Sequence, residues 1–272
     1  VQEHEHNKRQ KILIVEDNPE MNEYLEEIFT QNFDVVKCFN GKDGLEKAAS
    51  ENPDIIVSDI MMPVMDGLEF TSQLKSNLSF SHIPVVLLTA KTMDNDFTKG
   101  YQSGADAYIV KPFNAENLEL LVNNLLQTRR RNIERFKNDE NTSIQEIVSN
   151  PRDEKFMSDL INLIMKNLED EDFGVSEITS AMAVSRSLLH IKLKKLTDVS
   201  ITEFIRQIKM KEARKLLLSG HNVSETSFAV GISDPNYFTK CFKKQNGITP
   251  SEFIKNLKIH EQKHNIHEED NS

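Results

Sequence analysis

The chain has 272 residues, room for two domains at roughly 150 residues each, and carries 33 Lys+Arg against 43 Asp+Glu, net −10 with a pI near 5.4. Charged residues at 28% and hydrophobic residues at 38% exclude a fully disordered chain, and no apolar run approaches the roughly 20 residues that cross a bilayer. An acidic total argues against a nucleic-acid binder, which is usually basic, yet the charge is unevenly placed. Residues 1–125 hold 10 basic and 21 acidic residues, net −11; residues 126–150 hold 5 and 4; residues 151–272 hold 18 of each. Inside the last stretch, 173–258 holds 14 basic against 7 acidic, net +7. Cys38 and Cys241 fall in different halves and give no disulfide framework, which suits a reducing, cytoplasmic compartment. The chain starts at Val1, without Met, which points to a fragment of a longer protein or to trimming of a native one.

Residues 1–125 alternate short apolar runs with helix-period segments. The runs are Ile12–Val15, Val35–Val36, Ile55–Val57, Val85–Leu88 and Ile109–Val110. The best-bounded ones lack in/out alternation, as expected for strands buried on both faces of a parallel sheet. Between them lie amphipathic stretches, the first with Met21, Tyr24, Leu25, Ile28 and Phe29 at spacings of three and four, capped by Asn18 with Pro19 at its first position. Five such units predict a doubly wound α/β domain.

The residues that end those strands carry the chemistry. Strand one runs into Glu16 and Asp17, strand three into Asp59, strand four ends at Thr89 and strand five at Lys111. In an open parallel sheet the site lies beyond the carboxyl ends of the strands. Three carboxylates, a hydroxyl and an ammonium should therefore meet in one crevice. Clustered carboxylates repel and need a cation, and oxygen-only ligands suit Mg²⁺. Lys111 can pair with Asp59 or with an added phosphoryl group; Thr89 can hydrogen-bond a phosphoryl oxygen. Taken alone, Glu16 could equally be a helix cap; all five positions at strand ends point to a site.

This half resembles a response-regulator receiver domain over residues 10–128, a five-stranded flavodoxin-like fold. The stretches that carry the resemblance are ILIVEDN (12–18), PDIIVSDIMMPVMDG (53–67), IPVVLLTAK (83–91) and GADAYIVKPF (104–113). The resemblance implies that Asp59 accepts a phosphoryl group from a histidine-kinase phosphohistidine. It implies that Glu16, Asp17, Asp59 and the Met61 carbonyl hold Mg²⁺, that Thr89 and Lys111 grip the phosphoryl, and that Tyr108 is a switch aromatic coupled to Thr89. It also implies a cis Lys111–Pro112 peptide and a moving face around 92–112. Glu16 stands where Asp is commoner.

A helix from about Ala115, with Leu118, Leu121, Val122, Leu125 and Leu126, runs into Arg129, Arg130 and Arg131; the polar stretch Lys137–Ser143 then reads as linker. The arginines read as a solvated helix end, with a DNA-phosphate contact as the alternative.

The rest reads as helices. Phe156, Leu160, Ile161, Ile164, Met165 and Leu168 mark one apolar face. An internal repeat follows: GVSEITSAMAVS (174–185) aligns with NVSETSFAVGIS (222–233) at an offset of 48, and LHIKLKK (189–195) with FTKCFKK (238–244) at 49. Each copy predicts a short helix, a turn at Ala183 or Gly231, and a second helix capped near Ser185 or Ser233 that grows basic toward its end. That is helix-turn-helix logic, with the second helix in the major groove and lysines on phosphates. The long helix Ile201–Leu218 between the copies could set their spacing near one turn of DNA. A bundle whose repeat is packing alone is the alternative.

Residues 154–258 resemble an AraC-type DNA-binding domain on SRSLLHIKLKKLT (185–197), ITEFIRQIKMKEARKLLLSG (201–220) and ISDPNYFTKCFKKQNGITPSEF (232–253). The resemblance makes Arg186, Ser187 and His190 base-edge candidates in the first reader and Asn236, Thr239 and Lys240 in the second. Lys194, Lys195, Lys243 and Lys244 would hold phosphates. Ile191 stands where Arg is frequent, and Asn246 replaces a frequent aromatic before Gly247.

The expected organisation is a tail over 1–9, a receiver over 10–128, a linker over 129–153, the DNA-binding domain over 154–258 and a polar tail over 259–272. The expected protein is a phosphorylation-controlled transcription regulator of double-stranded DNA. It has no kinase motif of its own, and Mg²⁺ is its cofactor. Its partner is a histidine-kinase domain, and a homodimer and RNA polymerase contact are further candidates. The pairing looks most like the cytoplasmic C-terminal part of a hybrid two-component system, many of which regulate carbohydrate use and have an inner-membrane parent. A stand-alone regulator with a separate kinase, or a helical half that binds protein, are the alternatives.

Overall fold

A computed structural model describes residues 9–90, 104–138, 148, 150–257 and 259. The expected terminal tails (apart from Arg9 and Ile259), most of the polar linker and the 91–103 part of the expected moving face lie outside them. The chain divides into two compact units, Val1–Lys155 and Phe156–Ser272.

Five strands form the first unit's sheet: β1 (Gln10–Val15), β2 (Phe33–Cys38), β3 (Ile55–Asp59), β4 (Val85–Ala90) and β5 (Ala107–Lys111). All pair parallel, in the order β2-β1-β3-β4-β5. The order reverses at β1, so the chain winds to both sides, and the crevice belongs there. The unbroken apolar runs are explained by burial on both faces. Ile12, Ile14, Val57, Val86 and Leu88 pack on one side with Leu25 and Phe29 of α1 (Pro19–Phe29) and Leu118, Val122 and Leu126 of α4 (Ala115–Asn138). Leu13, Val15, Ile56, Val85 and Leu87 pack on the other with Ala48 of α2 (Gly41–Glu51) and Phe70 and Leu74 of α3 (Gly67–Ser76). Each fully buried Leu, Ile or Phe contributes about 1.5–3 kcal/mol. Asn18 caps α1 through Oδ1, which accepts from Met21 N–H at 3.0 Å, with Pro19 in the first turn. Burial pushes the Cys38 thiol up to about 12, so it behaves as a small core residue, as does the buried Cys241.

A buried ion pair that sequence reading did not single out locks the opposite end of this sheet. Lys75 Nζ on α3 meets Asp106 Oδ2, just before β5, at 2.7 Å, and also donates to the Ile83 carbonyl at 2.8 Å. The same Oδ2 accepts from Val85 N–H at 2.8 Å. Nearby, the Asp153 carboxylate accepts from Ser81 Oγ at 2.6 Å, and Asn150 Nδ2 donates to the Ser81 carbonyl at 2.9 Å. Arg129 is not a solvated helix end. Helix α4 continues to Asn138, and burial lowers the Arg129 guanidinium pKa against the opposing pull of Asp54, Asp153 and Asp106.

The second unit is helical. It contains most of α5 (Pro151–Lys166), then α6 (Val175–Ala181), α7 (Arg186–Thr197), α8 (Ile201–Leu218), α9 (Val223–Ala229), α10 (Pro235–Asn246) and a last helical segment over 250–257. Helix α8 packs against α7, α9 and α10. Met210, Ala213 and Leu217 of α8 enter one core with Val230, Phe238, Phe242 and Phe253. No described helix is long and apolar enough to cross a membrane.

Candidate functional site

Strand register assembles the first site. Val15 pairs with Ser58, so Glu16 follows beside Asp59. Asp59 pairs with Leu88, next to Thr89, and Ala90 pairs with Lys111. Glu16, Asp17 and Asp59 each offer an oxygen, and the three lie within 4.8 Å of one another. Lys111 Nζ bridges two of them, at 2.8 Å from Glu16 Oε2 and 3.0 Å from Asp59 Oδ1. Glu16 and Asp59 are buried, at 1% and 8% exposure. Burial raises the Glu16 pKa, helped by the Asp59 charge and opposed by Lys111 and the Asn18 N–H. Burial alone would lower the Lys111 pKa, but its hydrogen bonds to Glu16 and Asp59 and their charges raise it. Among the described residues these are the carboxylates grouped closely enough to hold a cation.

Thr89 sits half-buried at the end of β4, its Oγ1 turned to the Ala90 carbonyl at 3.3 Å. Tyr108 lies in β5, half-buried against the core that holds Leu87. Met61 stands in the loop two residues beyond Asp59 with its side chain exposed, and the Lys111–Pro112 peptide is cis. The first residue of α3 is one to which sequence reading gave no role. A Cβ at Gly67 would fall 2.0 Å from the Asp59 carbonyl oxygen, so only glycine lets α3 start against the strand end. Its presence in the quoted MDG was the available signal.

The second candidate site lies on α7 and α10. Arg186, Ser187, His190 and Lys194 are exposed on α7, with Lys195 half-buried; Asn236, Lys240, Lys243 and Lys244 are exposed on α10, with Thr239 half-buried. Thr239 Oγ1 donates to the Pro235 carbonyl at 2.8 Å, and Lys194 pairs with Asp198 Oδ1 at 2.7 Å. Both turns adopt the left-handed conformation, Ala183 at φ 52° and Gly231 at φ 60°. Ser185 caps α7, accepting from Leu188 N–H at 3.1 Å. The second cap departs from expectation. Asp234, not Ser233, caps α10, with Pro235 in its first turn, while Ser233 Oγ donates to the Glu171 carboxylate. Asn246 Nδ2 donates to the Phe242 carbonyl at 3.0 Å, and Gly247 closes the helix.

Two of the lysines in the +7 window of 173–258 are buried. Lys192 is 0% exposed. Lys209 Nζ lies between the carbonyls of Asp170 and Gly231, at 3.2 and 3.3 Å, and burial lowers its pKa.

The model of the response regulator receiver domain matches residues 12–123, and that of a helix-turn-helix domain matches 178–256. The probable transcriptional regulator ycf29 of Porphyra purpurea is 31% identical over 64% of this chain and 84% of its own length. The chain belongs to the response-regulator family. Its receiver is followed by an AraC-type helix-turn-helix domain, a combination that fits a phosphorylation-regulated DNA-binding regulator. Histidine kinase P4 of Formosa agariphila is 36% identical over 89% of this chain, which spans only 18% of that relative's length. The receiver domain of a Syntrophus aciditrophicus signal transduction histidine kinase is 34% identical, with a TM-score of 0.42, over 43% of this chain and 90% of that structure.

Proposed function

We infer that this regulator is a sequence-specific transcription factor switched by phosphorylation of Asp59. The observation that carries the reading is the convergence of Glu16, Asp17 and Asp59 within 4.8 Å, with Lys111 bonded to two of them. Asp59 is the nucleophile: its carboxylate forms the new O–P bond as the N–P bond of a kinase phosphohistidine breaks, and the proton-bearing histidine leaves. Three hard oxygen donors with one ammonium between them fit Mg²⁺, held by Glu16, Asp17, Asp59 and the Met61 carbonyl. When bound, the ion offsets charge on the transferring group. Lys111 then moves its ammonium from Asp59 to a phosphoryl oxygen, and Thr89 turns from the Ala90 carbonyl to another. Phosphorylation adds about −1.5 to −2 charge there. It shifts a two-state equilibrium only through contacts that differ between the states, here Thr89 and Tyr108.

The output is double-stranded DNA. Arg186, Ser187 and His190 on α7, and Asn236, Thr239 and Lys240 on α10, face base edges; Lys194, Lys195, Lys243 and Lys244 face phosphates. Helix α8, 18 residues long and so about 27 Å, lies between the readers. The similarity to histidine kinase P4 supports a place in the cytoplasmic end of a hybrid sensor, with the kinase on the same polypeptide. Incubation with acetyl phosphate and Mg²⁺ tests the site. The wild type gains one acid-stable, hydroxylamine-labile phosphoryl group and Asp59→Asn none; label that persists in Asp59→Asn overturns the assignment.

A further inference from the structure

The two readers are copies of one motif, so each position of α7 can be compared with its twin on α10, 49 residues on. Leu189 matches Phe238 and Leu193 matches Phe242, all buried. Lys194 and Lys195 match Lys243 and Lys244. These two core positions stay apolar, although the buried Lys192 matches Cys241, and the last turns stay basic. At an open position in mid-helix the chemistry changes: the twin of Lys240 is Ile191. Ile191 is 44% exposed, and both neighbours on its stripe are polar. At about 3.6 residues per turn, Ser187, Ile191 and Lys194 form that stripe, opposite the buried Leu189, Leu193 and Leu196. His190 flanks it. Ile191 therefore stands in the middle of the open face. Helix stability does not ask for it, since a β-branched chain is a poorer helix former than lysine. Single exposed apolar side chains are ordinary on protein surfaces, but the centre of a cationic reading face is where recognition is decided.

We propose that Ile191 is a specificity-determining contact of the first reader, packing on the 5-methyl group of a thymine, while its twin Lys240 takes the O6 and N7 acceptors of a guanine. The proposal rests on the DNA-reading function inferred above. In the major groove, thymine alone presents a methyl group, and guanine presents two acceptors. Isoleucine offers no donor, so guanine acceptors beneath it would lose water without replacement. The two half-sites then differ in chemistry, and the operator is asymmetric.

The test uses duplexes recovered from a random-sequence library by the full chain treated with acetyl phosphate and Mg²⁺. Each thymine is replaced by deoxyuridine in turn, which removes only the methyl group. One position should weaken binding about fourfold, the worth of one buried methyl group. The effect should persist in Ile191→Val and in Lys240→Ala, and vanish in Ile191→Ala. Ile191→Lys, which copies the second reader, should select guanine at that position. A methyl effect that survives Ile191→Ala, or no uridine-sensitive thymine at all, overturns the role of Ile191 and leaves DNA reading intact. A library that yields no preferred sequence overturns the base-reading function itself, and the proposal with it.

Discussion

The two units handle charge in opposite ways. In the first, the ionised groups of the site are sunk at strand ends and held by each other: Glu16 and Asp59 meet Lys111, and at the far end of the sheet Lys75 meets Asp106. In the second, most of the cations on α7 and α10 stand in solvent; Lys244 lies 3.6 Å from Glu203, and Lys194 meets Asp198 at the end of its helix. Buried charge fixes geometry and suits group transfer; exposed charge is free to exchange its counterions for phosphates. The net −10 hides both: residues 1–125 carry −11, and acidic flanks cancel the +7 of 173–258.

The comparison is sharpened first by breaking a buried pair. Asp106→Asn leaves Lys75 with an uncompensated charge at 8% side-chain exposure and should cost about 3–5 kcal/mol in urea unfolding. Removing an exposed pair such as Lys194–Asp198 should cost under about 1 kcal/mol; equal losses would erase the distinction. Gly231→Ala comes next. Its Cβ would fall 2.7 Å from the Leu168 carbonyl oxygen in a left-handed backbone, which should cost about 1–3 kcal/mol in the same assay. Replacing Lys243 and Lys244 by Ala should flatten the slope of log affinity against log salt by about 1.8, near 0.9 per lost phosphate contact. Lys192→Met should leave that slope unchanged, because Lys192 is buried. The smallest effect belongs to Ala183, the twin of Gly231. Ala183→Gly should stabilise by about 0.5–1 kcal/mol, since its φ of 52° strains a residue with a Cβ.

Much of the receiver was legible because parallel strands advertise themselves. Both-face burial removes alternation from Ile12–Val15 and Val85–Leu88, and a site at strand ends needs only the next residue to be read. The Lys75–Asp106 pair was illegible for the opposite reason. Its partners lie 31 residues apart, and Lys75 in α3 looks like any polar-face lysine. The burial of Lys192 and Lys209 was invisible because a charge sum carries no burial. Arg129 was misjudged because nothing local shows its burial or the pull of Asp54, Asp153 and Asp106 on its charge. The cap of α10 turned on one residue: Ser233 and Asp234 are both capping types, and Pro235, which fits the first helical turn, was the signal favouring Asp234.

The central claim is that phosphorylation of Asp59 in the first unit controls DNA binding by the second. The direct measurement is the affinity of the full chain for a selected duplex, before and after acetyl phosphate with Mg²⁺, in the wild type and in Asp59→Asn. The account predicts a shift in the wild type and none in Asp59→Asn, at equal protein concentration and salt. An identical response in both proteins, or none in a fully phosphorylated wild type, would contradict it.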